Sequence, residues 1–503
     1  MFESALMGLQ AITDPSILIA TTVGVVAGII AGLIPGFTIL MGVILVLPFT
    51  YGMPALQGIA TMMGVFVGGN SGGLISACLI GIPGTPSSVA TTFDGFPMAR
   101  NGEPGRALGL GTWASFFGSL IGWVLMVTVT PTLADFGLKF GPWEFFSLIA
   151  FALTIIASLS GKSLVKGLIA GLLGMLLATV GVDPMLSIPR FTMGNTNVES
   201  GFDFLPMLIG LFAFSQLMKD LEVTDLAGKM ERVLVKDITV PTLRILKDIW
   251  HSKIGMIWAI LVGVWIGIVP AAGGSIANVL AYDQMKRLSK NKDKYGTGYH
   301  EGIIASEAGN NACSAGACIP MLALGIPGDA VTAVMLGALL IQGLQPGPML
   351  MSTQPKLAYG AIMAYLAATI LMLLIQANGM KLFARLVLVP KEVLVPGILV
   401  MCTMGAFVLN NRIFDMWVMF FFGLVGYLMR KMDYPPAPMV LALVLGPMVE
   451  MSLRQSLTIS HGSLTIFFTR PISATLTVIA LVSLFAPLFR ILWTRYRAGK
   501  TAV

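Results

Sequence analysis

Gly81-Ile82-Pro83-Gly84-Thr85-Pro86-Ser87-Ser88 and Gly325-Ile326-Pro327-Gly328-Asp329-Ala330 state one phrase twice, far apart in the chain. Ahead of each lies a polar interruption of an apolar stretch: Gly69-Asn70-Ser71-Gly72-Gly73 in the first half, Gly309-Asn310-Asn311 in the second. Further upstream each half has an apolar stretch divided by proline. These are Leu33-Ile34-Pro35-Gly36-Phe37-Thr38 and Ile268-Val269-Pro270-Ala271-Ala272-Gly273-Gly274-Ser275. Pro35 and Pro270 are 235 positions apart, Pro83 and Pro327 244. Glycine and proline at this density break helices, so breaks are expected at Gly68–Gly73, at Pro83–Pro86 and at both second-half motifs. A repeat of half the chain with matching interruptions is the pattern of a secondary transporter whose site lies between its halves.

Composition agrees. The 503 residues are 56% hydrophobic and 11% charged, and mean hydropathy is +0.86. Soluble domains carry about 25% charge, so the chain is an all-α polytopic membrane protein with its core in the lipid bilayer. The net charge of +7 belongs to loops and reads as topology; no nucleic acid partner is expected. The opening stretch lacks the basic segment of a signal peptide and is expected to stay in the fold. Cys78, Cys313, Cys318 and Cys402 sit in apolar segments without metal spacing to His251, His300 or His461, and read as small buried hydrophobes.

Two apolar pieces within 15–52, each short for a span of about 20 residues, meet at Pro35-Gly36. A broken stretch covers 55–93. Spans are expected near 107–131, 143–159, 166–182 and 204–218. A connector, 219–253, with seven Lys/Arg against six Asp/Glu, reads as a cytoplasmic amphipathic helix at the interface or in solvent. It separates an N-terminal repeat, 1–218, from a C-terminal one, 254–503. The latter opens with the piece 254–282 and a broken stretch 301–345, followed by spans near 357–378, 395–410, 413–429, 436–450 and 472–494. Lys/Arg placement orients them. If 15–52 is a re-entrant hairpin from outside and 254–282 one from inside, only Lys139, Arg190, Lys356, Arg412, Arg454 and Arg470 remain in outer loops. The expectation is therefore an inverted-topology repeat, with the N-terminus periplasmic and the C-terminus cytoplasmic.

A helix interrupted at mid-membrane leaves bare N–H groups on one side and bare C=O groups on the other. The N–H end carries roughly half a positive charge and suits anions; the C=O end suits hard cations. The substrate-binding set expected is Asn70, Ser71, Gly84, Thr85, Ser87, Ser88, Asn310, Asn311, Gly328 and Asp329. Asn70, Asn310 and the backbone carbonyls of Gly81 and Gly325 are the candidates for Na+. Pro35, Gly36, Pro83, Pro270 and Pro327 shape the breaks. Asp329 either meets a cation or proton or caps the next helix; Asp94 reads as structural; Glu301 is expected exposed near the inner face, with Glu307 a little deeper. No buried arginine stands out as a substrate clamp, so dipoles, hydroxyls and a co-bound cation must balance an anionic ligand.

These residues resemble the large membrane subunit of the tripartite tricarboxylate transporter family. The likeness covers nearly the whole chain and is densest in Gly69–Gly111, with Asp94-Gly95-Phe96-Pro97-Met98-Ala99-Arg100, and in Gly267–Pro348, with Ala308-Gly309-Asn310-Asn311-Ala312 and Gly343-Leu344-Gln345-Pro346-Gly347-Pro348. Leu74-Ile75-Ser76-Ala77 and Thr85 depart from many members, which leaves citrate itself less secure than a carboxylate in general. The resemblance implies a secondary transporter importing tri- or dicarboxylates with Na+ or H+ as coupling ion and no other cofactor. It also implies a small membrane subunit, a periplasmic solute-binding protein and the bacterial inner membrane. Elevator-type motion follows by analogy with paired hairpins, and a homodimer is a further partner to consider. The rivals are a carboxylate or anion channel, a transporter of an uncharged solute and an intramembrane protease. Against the protease, 326–329 reads Ile-Pro-Gly-Asp and no His-Glu-x-x-His occurs.

Overall fold

The computed structural model describes residues 2–159, 163–183, 185–222, 238–270, 272–387, 389, 391–408 and 410–485. The chain begins with α1 (Phe2–Ile12), α2 (Pro15–Leu33), α3 (Ile39–Thr50) and α4 (Ala55–Ile80). After a 3-10 turn at Pro86–Ser88 come α5 (Thr91–Arg100), α6 (Pro104–Gly137), α7 (Pro142–Leu159) and α8 (Leu164–Ala178). A two-stranded antiparallel ribbon, β1 (Gly181–Val182) with β2 (Pro189–Arg190), leads to α9 (Thr196–Glu199), α10 (Phe204–Leu208), a π-turn at Ile209–Phe214 and α11 (Ser215–Glu222). The second half has α12 (Thr242–His251), α13 (Lys253–Ile268), α14 (Gly273–Leu288), α15 (His300–Leu324), α16 (Ala330–Ile341) and α17 (Pro348–Thr353). It ends with α18 (Pro355–Leu386), α19 (Lys391–Val408), α20 (Ile413–Lys431), α21 (Pro436–Ile459), α22 (Ile466–Thr469) and a helix over Pro471–Phe485.

Among the described residues, 7 helices are long and apolar enough to cross a bilayer, or up to 8 if α12 and α13, bent by 78° at their junction, count as one. The all-α polytopic reading therefore holds. The span expected over 472–494 is described only to 485, and residues 223–237 of the connector and the basic residues of the tail lie outside the described residues. The connector's described helix, α12, is amphipathic: Ile245 and Ile249 are buried while Leu243 and Trp250 are exposed.

The chain divides into two compact units. The first joins Met1–Gly137 to Leu208–Leu424 and contains every glycine-proline motif. In it the hairpin α2–α3 packs along α4, and the hairpin α13–α14 packs along α15. Backbone proximity is the means. A Cβ added to Gly24, Gly28 or Gly32 of α2 would lie 2.1, 2.4 and 2.3 Å from the carbonyl oxygens of Thr61, Val65 and Gly69. Gly64, Gly68 and Gly72 of α4 meet Thr21, Val25 and Ile29 in return, at 2.5, 2.4 and 2.5 Å. Two glycines four apart share a helix face, so reciprocal stripes let two backbones touch where lipid supplies no hydrophobic drive.

The second hairpin repeats the arrangement. Shifting hairpin numbers by 235 and long-helix numbers by 244 carries Gly28 on Val65 to Gly263 on Gly309, and Gly32 on Gly69 to Gly267 on Cys313. It also carries Ile29 on Gly72 to Val264 on Gly316.

One expectation fails here. Gly68–Gly73 and Gly309-Asn310-Asn311 interrupt nothing: α4 and α15 run continuously through them. Asn70, Ser71, Asn310 and Asn311 are thus mid-helix residues rather than residues of a break. The helical hydrogen bonds survive because each residue costs only about 1 kcal/mol of propensity as glycine, which close packing offsets. Each long helix does break at the Gly-Ile-Pro-Gly phrase. Likewise α2, at 19 residues, is long enough to span by itself, whereas α3 has only 12.

The second unit, Leu138–Met207 with Val425–Val503, packs α21 against α7 and α8. Gly174 of α8 touches the backbone of Met439 of α21. The ribbon is tied to α21 by ion pairs, Asp183 to Arg454 at 2.7 Å and Arg190 to Glu450 at 2.6 Å. The Asp183 carboxyl also accepts the N–H groups of Met185 and Leu186. Its hydrogen bond from Arg454 and these amides hold its pKa down to about 2. The folded value lies below the unfolded value of about 3.9, so the stabilisation is complete above the latter and is lost as pH falls through about 2.

Two outcomes are expected. Gly68→Ala puts a methyl into the Val25 carbonyl and lowers the unfolding midpoint in detergent, at a cost of about 1–3 kcal/mol, while Gly397→Ala, with open space around it, does not. Asp183→Asn speeds hydrogen exchange at the Met185 and Leu186 amides at neutral pH, measured against the unmodified chain.

Candidate functional site: two capped turns and the asparagines between them

Both Gly-Ile-Pro-Gly phrases are built alike. Gly81 (φ +68°) ends α4 and Gly325 (φ +71°) ends α15, each in the left-handed region that favours glycine. Proline follows and prevents the helix from resuming. Gly84 and Gly328 then pass against the hairpins: a Cβ would lie 2.1 Å from the Gly32 carbonyl oxygen in the first case and 2.4 Å from that of Gly267 in the second. These pairs again match under the 235 and 244 shifts. Each turn therefore rests on the end of the hairpin's first helix.

The next residue is a cap in both. Thr85 N accepts no proton but donates one to Ser88 Oγ at 3.4 Å, and Ser88 Oγ donates to the Thr85 carbonyl at 2.9 Å. Thr85 Oγ1 and Ser87 Oγ lie 2.9 Å apart. At the other turn Thr332 N donates to Asp329 Oδ1 at 2.8 Å and Asp329 N to Thr332 Oγ1 at 2.9 Å. This is a capping box on α16. Of the two readings open for Asp329, its Oδ1 is committed to the cap. Thr85, Ser87, Ser88 and Asp329 are all buried.

The two halves meet at Asn310. Its Nδ2 donates to the Asn70 carbonyl at 3.2 Å, across 240 residues of sequence. Its Oδ1, fully buried, has no hydrogen-bond partner. That oxygen faces the tip of the second hairpin, where a Cβ on Gly274 would lie 2.6 Å from Asn310 Oδ1 and 2.9 Å from Ser87 Cβ. A Cβ on Gly273 would lie 3.7 Å from that of Asp329. Asn70, Asn310, Ser87 and both hairpin-tip glycines are thus within a few ångströms of one another, with Thr85 bonded behind Ser87. An orphaned amide oxygen beside hydroxyls costs about 1–3 kcal/mol unless something satisfies it.

Other expected residues face elsewhere. Ser71 Oγ donates to Gln376 Oε1 of α18 at 2.8 Å. Asn311 Nδ2 donates to Ser115 Oγ of α6 at 2.9 Å. A residue next in sequence on a helix turns about 100°, so the pairs Asn70-Ser71 and Asn310-Asn311 cannot share one face. Pro35 and Gly36 (φ +91°) form the tip of the first hairpin, where Thr38 Oγ1 caps α3 by accepting from Met41 N at 3.2 Å. Pro270 precedes the second tip.

Asp94 is structural, as its place at a turn suggested. It is fully buried, and its carboxylate accepts from Gly296, Gly298 and Tyr299 N–H at 2.9, 2.9 and 2.7 Å and from Tyr282 Oη at 2.9 Å. It fastens α5 to α14 and to the segment before α15. Glu301 is half-buried and accepts from Tyr295 Oη. Gly274 was missed as a site residue by sequence reasoning, although it stands in the Pro270–Ser275 interruption of the second hairpin.

Set against known families, residues 18–441 match the tripartite tricarboxylate transporter TctA family. The chain belongs to that family. It is 32% identical over 477 residues to the "Uncharacterized 52.8 kDa protein in TAR-I ttuC' 3'region" of Agrobacterium vitis, with 94% of each chain covered. It is 35% identical over 220 residues to the "Uncharacterized protein in TAR-II ttuC' 3'region" of the same organism, covering 44% of this chain and 91% of that one. No solved structure matches. Membership, with the apolar helices, makes the chain a multi-pass membrane protein of a tricarboxylate transporter family.

The committed contacts separate two classes of site variant. Ser71→Ala removes a bond to Gln376 and is expected to lower the unfolding midpoint in detergent. Ser87→Ala removes a hydroxyl bonded to Thr85 of its own turn and is expected to leave that midpoint nearly unchanged.

Proposed function

We propose that this chain carries a tri- or dicarboxylate inward across the bacterial inner membrane, together with Na+ or H+. In this reading a periplasmic solute-binding protein delivers the substrate and a small membrane subunit completes the complex. The observation that carries it is the meeting of Asn310, Asn70, Ser87 and Gly274, residues of both halves, at the two capped turns. Hydroxyls and N–H groups of Thr85, Ser87, Ser88 and Gly84 suit a carboxylate's oxygens; Gly328 offers backbone at the second turn. The carbonyls of Gly81 and Gly325, where helices end, and the amides of Asn70 and Asn310 suit a hard cation beside it. Asp329 supplies negative charge on the cation's side.

The recurrence of contacts under fixed shifts supports two copies of one unit, and the Lys/Arg distribution supports opposite orientations for them. On that basis the N-terminus is periplasmic and the C-terminus cytoplasmic. Alternating access is of the elevator type, the paired hairpins moving with the substrate between them.

Uptake of radiolabelled citrate, and then of other carboxylates, in cells expressing the complete three-component system tests this. Asn310→Ala is expected to raise the half-saturating concentration about tenfold or more, the equivalent of one hydrogen bond to a charged group at about 1.5–3 kcal/mol, with membrane abundance unchanged. Ser87→Ala should weaken uptake in the same sense. Full uptake by both variants, or uptake that neither saturates nor responds to the Na+ and H+ gradients, rejects the proposal; the second result favours a channel.

A further inference from the structure

α15 carries an acid whose surroundings the transport reading does not use. Glu307 is fully buried at the centre of the first unit. Thr91 Oγ1 of α5 bonds to its Oε1, and Ser115 Oγ of α6 to its Oε2 at 3.1 Å. Asn311 Nδ2 lies 3.5 Å from the same Oε2. No basic side chain pairs with it among the described residues, and its titratable neighbour is the Cys78 thiol of α4. A carboxyl this deep is costly without a task.

The direction of the hydrogen bonds shows what charge the site expects. Asn311 Nδ2 donates to Ser115 Oγ at 2.9 Å, and Asn278 Nδ2 approaches Thr91 Oγ1 at 3.4 Å. An asparagine N–H has no acceptor role, so Ser115 Oγ accepts from Asn311 and turns its own proton to the carboxylate. Thr91 Oγ1, which also lies 3.2 Å from Ser306 Oγ, meets the other carboxylate oxygen, so a hydroxyl stands at each oxygen of Glu307. Such an arrangement stabilises the ionised form, and an ionised carboxylate in the bilayer interior needs a countercharge. A second observation is an oxygen on a neighbouring side chain left without a partner. Asn311 Oδ1, on the amide already beside Ser115 and Glu307, is buried and has no hydrogen-bond partner.

The geometry points to a monovalent cation site, of Na+ character, formed by the Glu307 carboxylate, Ser115 Oγ, Thr91 Oγ1 and Asn311 Oδ1. One carboxylate neutralises one monovalent charge, while a divalent ion would leave a buried excess. Neutral oxygen ligands from hydroxyl and amide suit a hard cation. The site is distinct from the one assigned to Asn70 and Asn310, because Asn311 faces α6 and Asn310 faces the hairpin tip.

It is also wired to the first turn. Thr91 begins α5 directly after the Thr85–Ser88 cap, and Asn278 Oδ1 accepts the Ala90 N–H at 2.6 Å while Asn278 Nδ2 donates to the Ser306 carbonyl at 3.1 Å. A cation on Glu307 therefore fixes the same backbone that would hold the carboxylate substrate. This role as a coupling site rests on the transport reading; the binding of the ion does not.

Purified full-length chain in detergent, without carboxylate, is melted in NaCl and in choline chloride at equal ionic strength. Na+ is expected to raise the midpoint by a few degrees in a saturable manner. Glu307→Gln, which keeps the shape and removes the charge, abolishes that rise. Ser115→Ala, a milder change kept in case Glu307→Gln fails to fold, requires about tenfold more Na+ for the same rise. Gly397→Ala, with open space around it, retains it. An unchanged rise in Glu307→Gln, loss of the rise in Gly397→Ala, or a wild-type midpoint that responds to pH but not to Na+ overturns the site. Absent uptake with a normal Na+ response would instead fault the transport reading and leave the ion site standing.

Discussion

Backbone touching backbone is the constraint on which the first unit depends. Helices surrounded by lipid gain little by burying apolar side chains against each other, since the lipid is as apolar as they are. What they gain is dispersion at short range, and that needs small residues in register. Gly24, Gly28 and Gly32 against Gly64, Gly68 and Gly72 supply it on one hairpin; Gly263, Gly267 and Gly316 supply it on the other. Once the hairpins are clamped to α4 and α15, their carbonyl ends at Gly32 and Gly267 are fixed where Gly84 and Gly328 must pass. The turns inherit their positions from the glycine stripes.

This explains how much the sequence disclosed and where it misled. The Gly-Ile-Pro-Gly phrases announced the two real breaks because proline after a left-handed glycine leaves a helix no continuation. The same residue type inside α4 and α15 was read as a break and is instead a packing surface. Sequence alone cannot separate these, because glycine at i and i+4 serves a neighbour that the linear pattern does not show. For the same reason Asn70 and Asn310 meet each other while Ser71 and Asn311 aim elsewhere: a doublet on a helix divides between two faces, and the neighbours α6 and α18 decide which face is which. Glu307 was visible only as an acid early in an apolar stretch. Its value appears when Thr91 and Ser115, some two hundred residues earlier, are brought to it.

Capping has a part beyond ending helices. The Thr85–Ser88 and Asp329–Thr332 boxes occupy corresponding positions but differ in charge. The first cap is made of neutral hydroxyls, whereas the carboxylate at the second brings a negative charge that repels an anion. Two copies of one motif thereby give a site with two unlike sides. On the proposed reading, that asymmetry would orient a carboxylate toward the first turn and a cation toward the second without any change of fold.

If the proposed transport reading and ion site hold, the balance of charge sets an order of binding. Among the described residues no basic side chain bonds to Thr85, Ser87, Asn310 or Asp329, so a polyanion entering the turns meets only partial charges. The buried carboxylates nearby, Asp329 and Glu307, make its entry less favourable still. A monovalent cation on Glu307 removes one of those repulsions and at the same time holds Thr91 and, through Asn278, the backbone of Ala90. Under those proposals, binding the cation first would lower both the electrostatic and the ordering cost of the anion, and by linkage the anion would tighten the cation in equal measure. Coupling of this kind needs no long pathway. It needs an acid about one helical turn from the asparagine proposed to meet the substrate, and Glu307 stands three residues from Asn310 on the same helix.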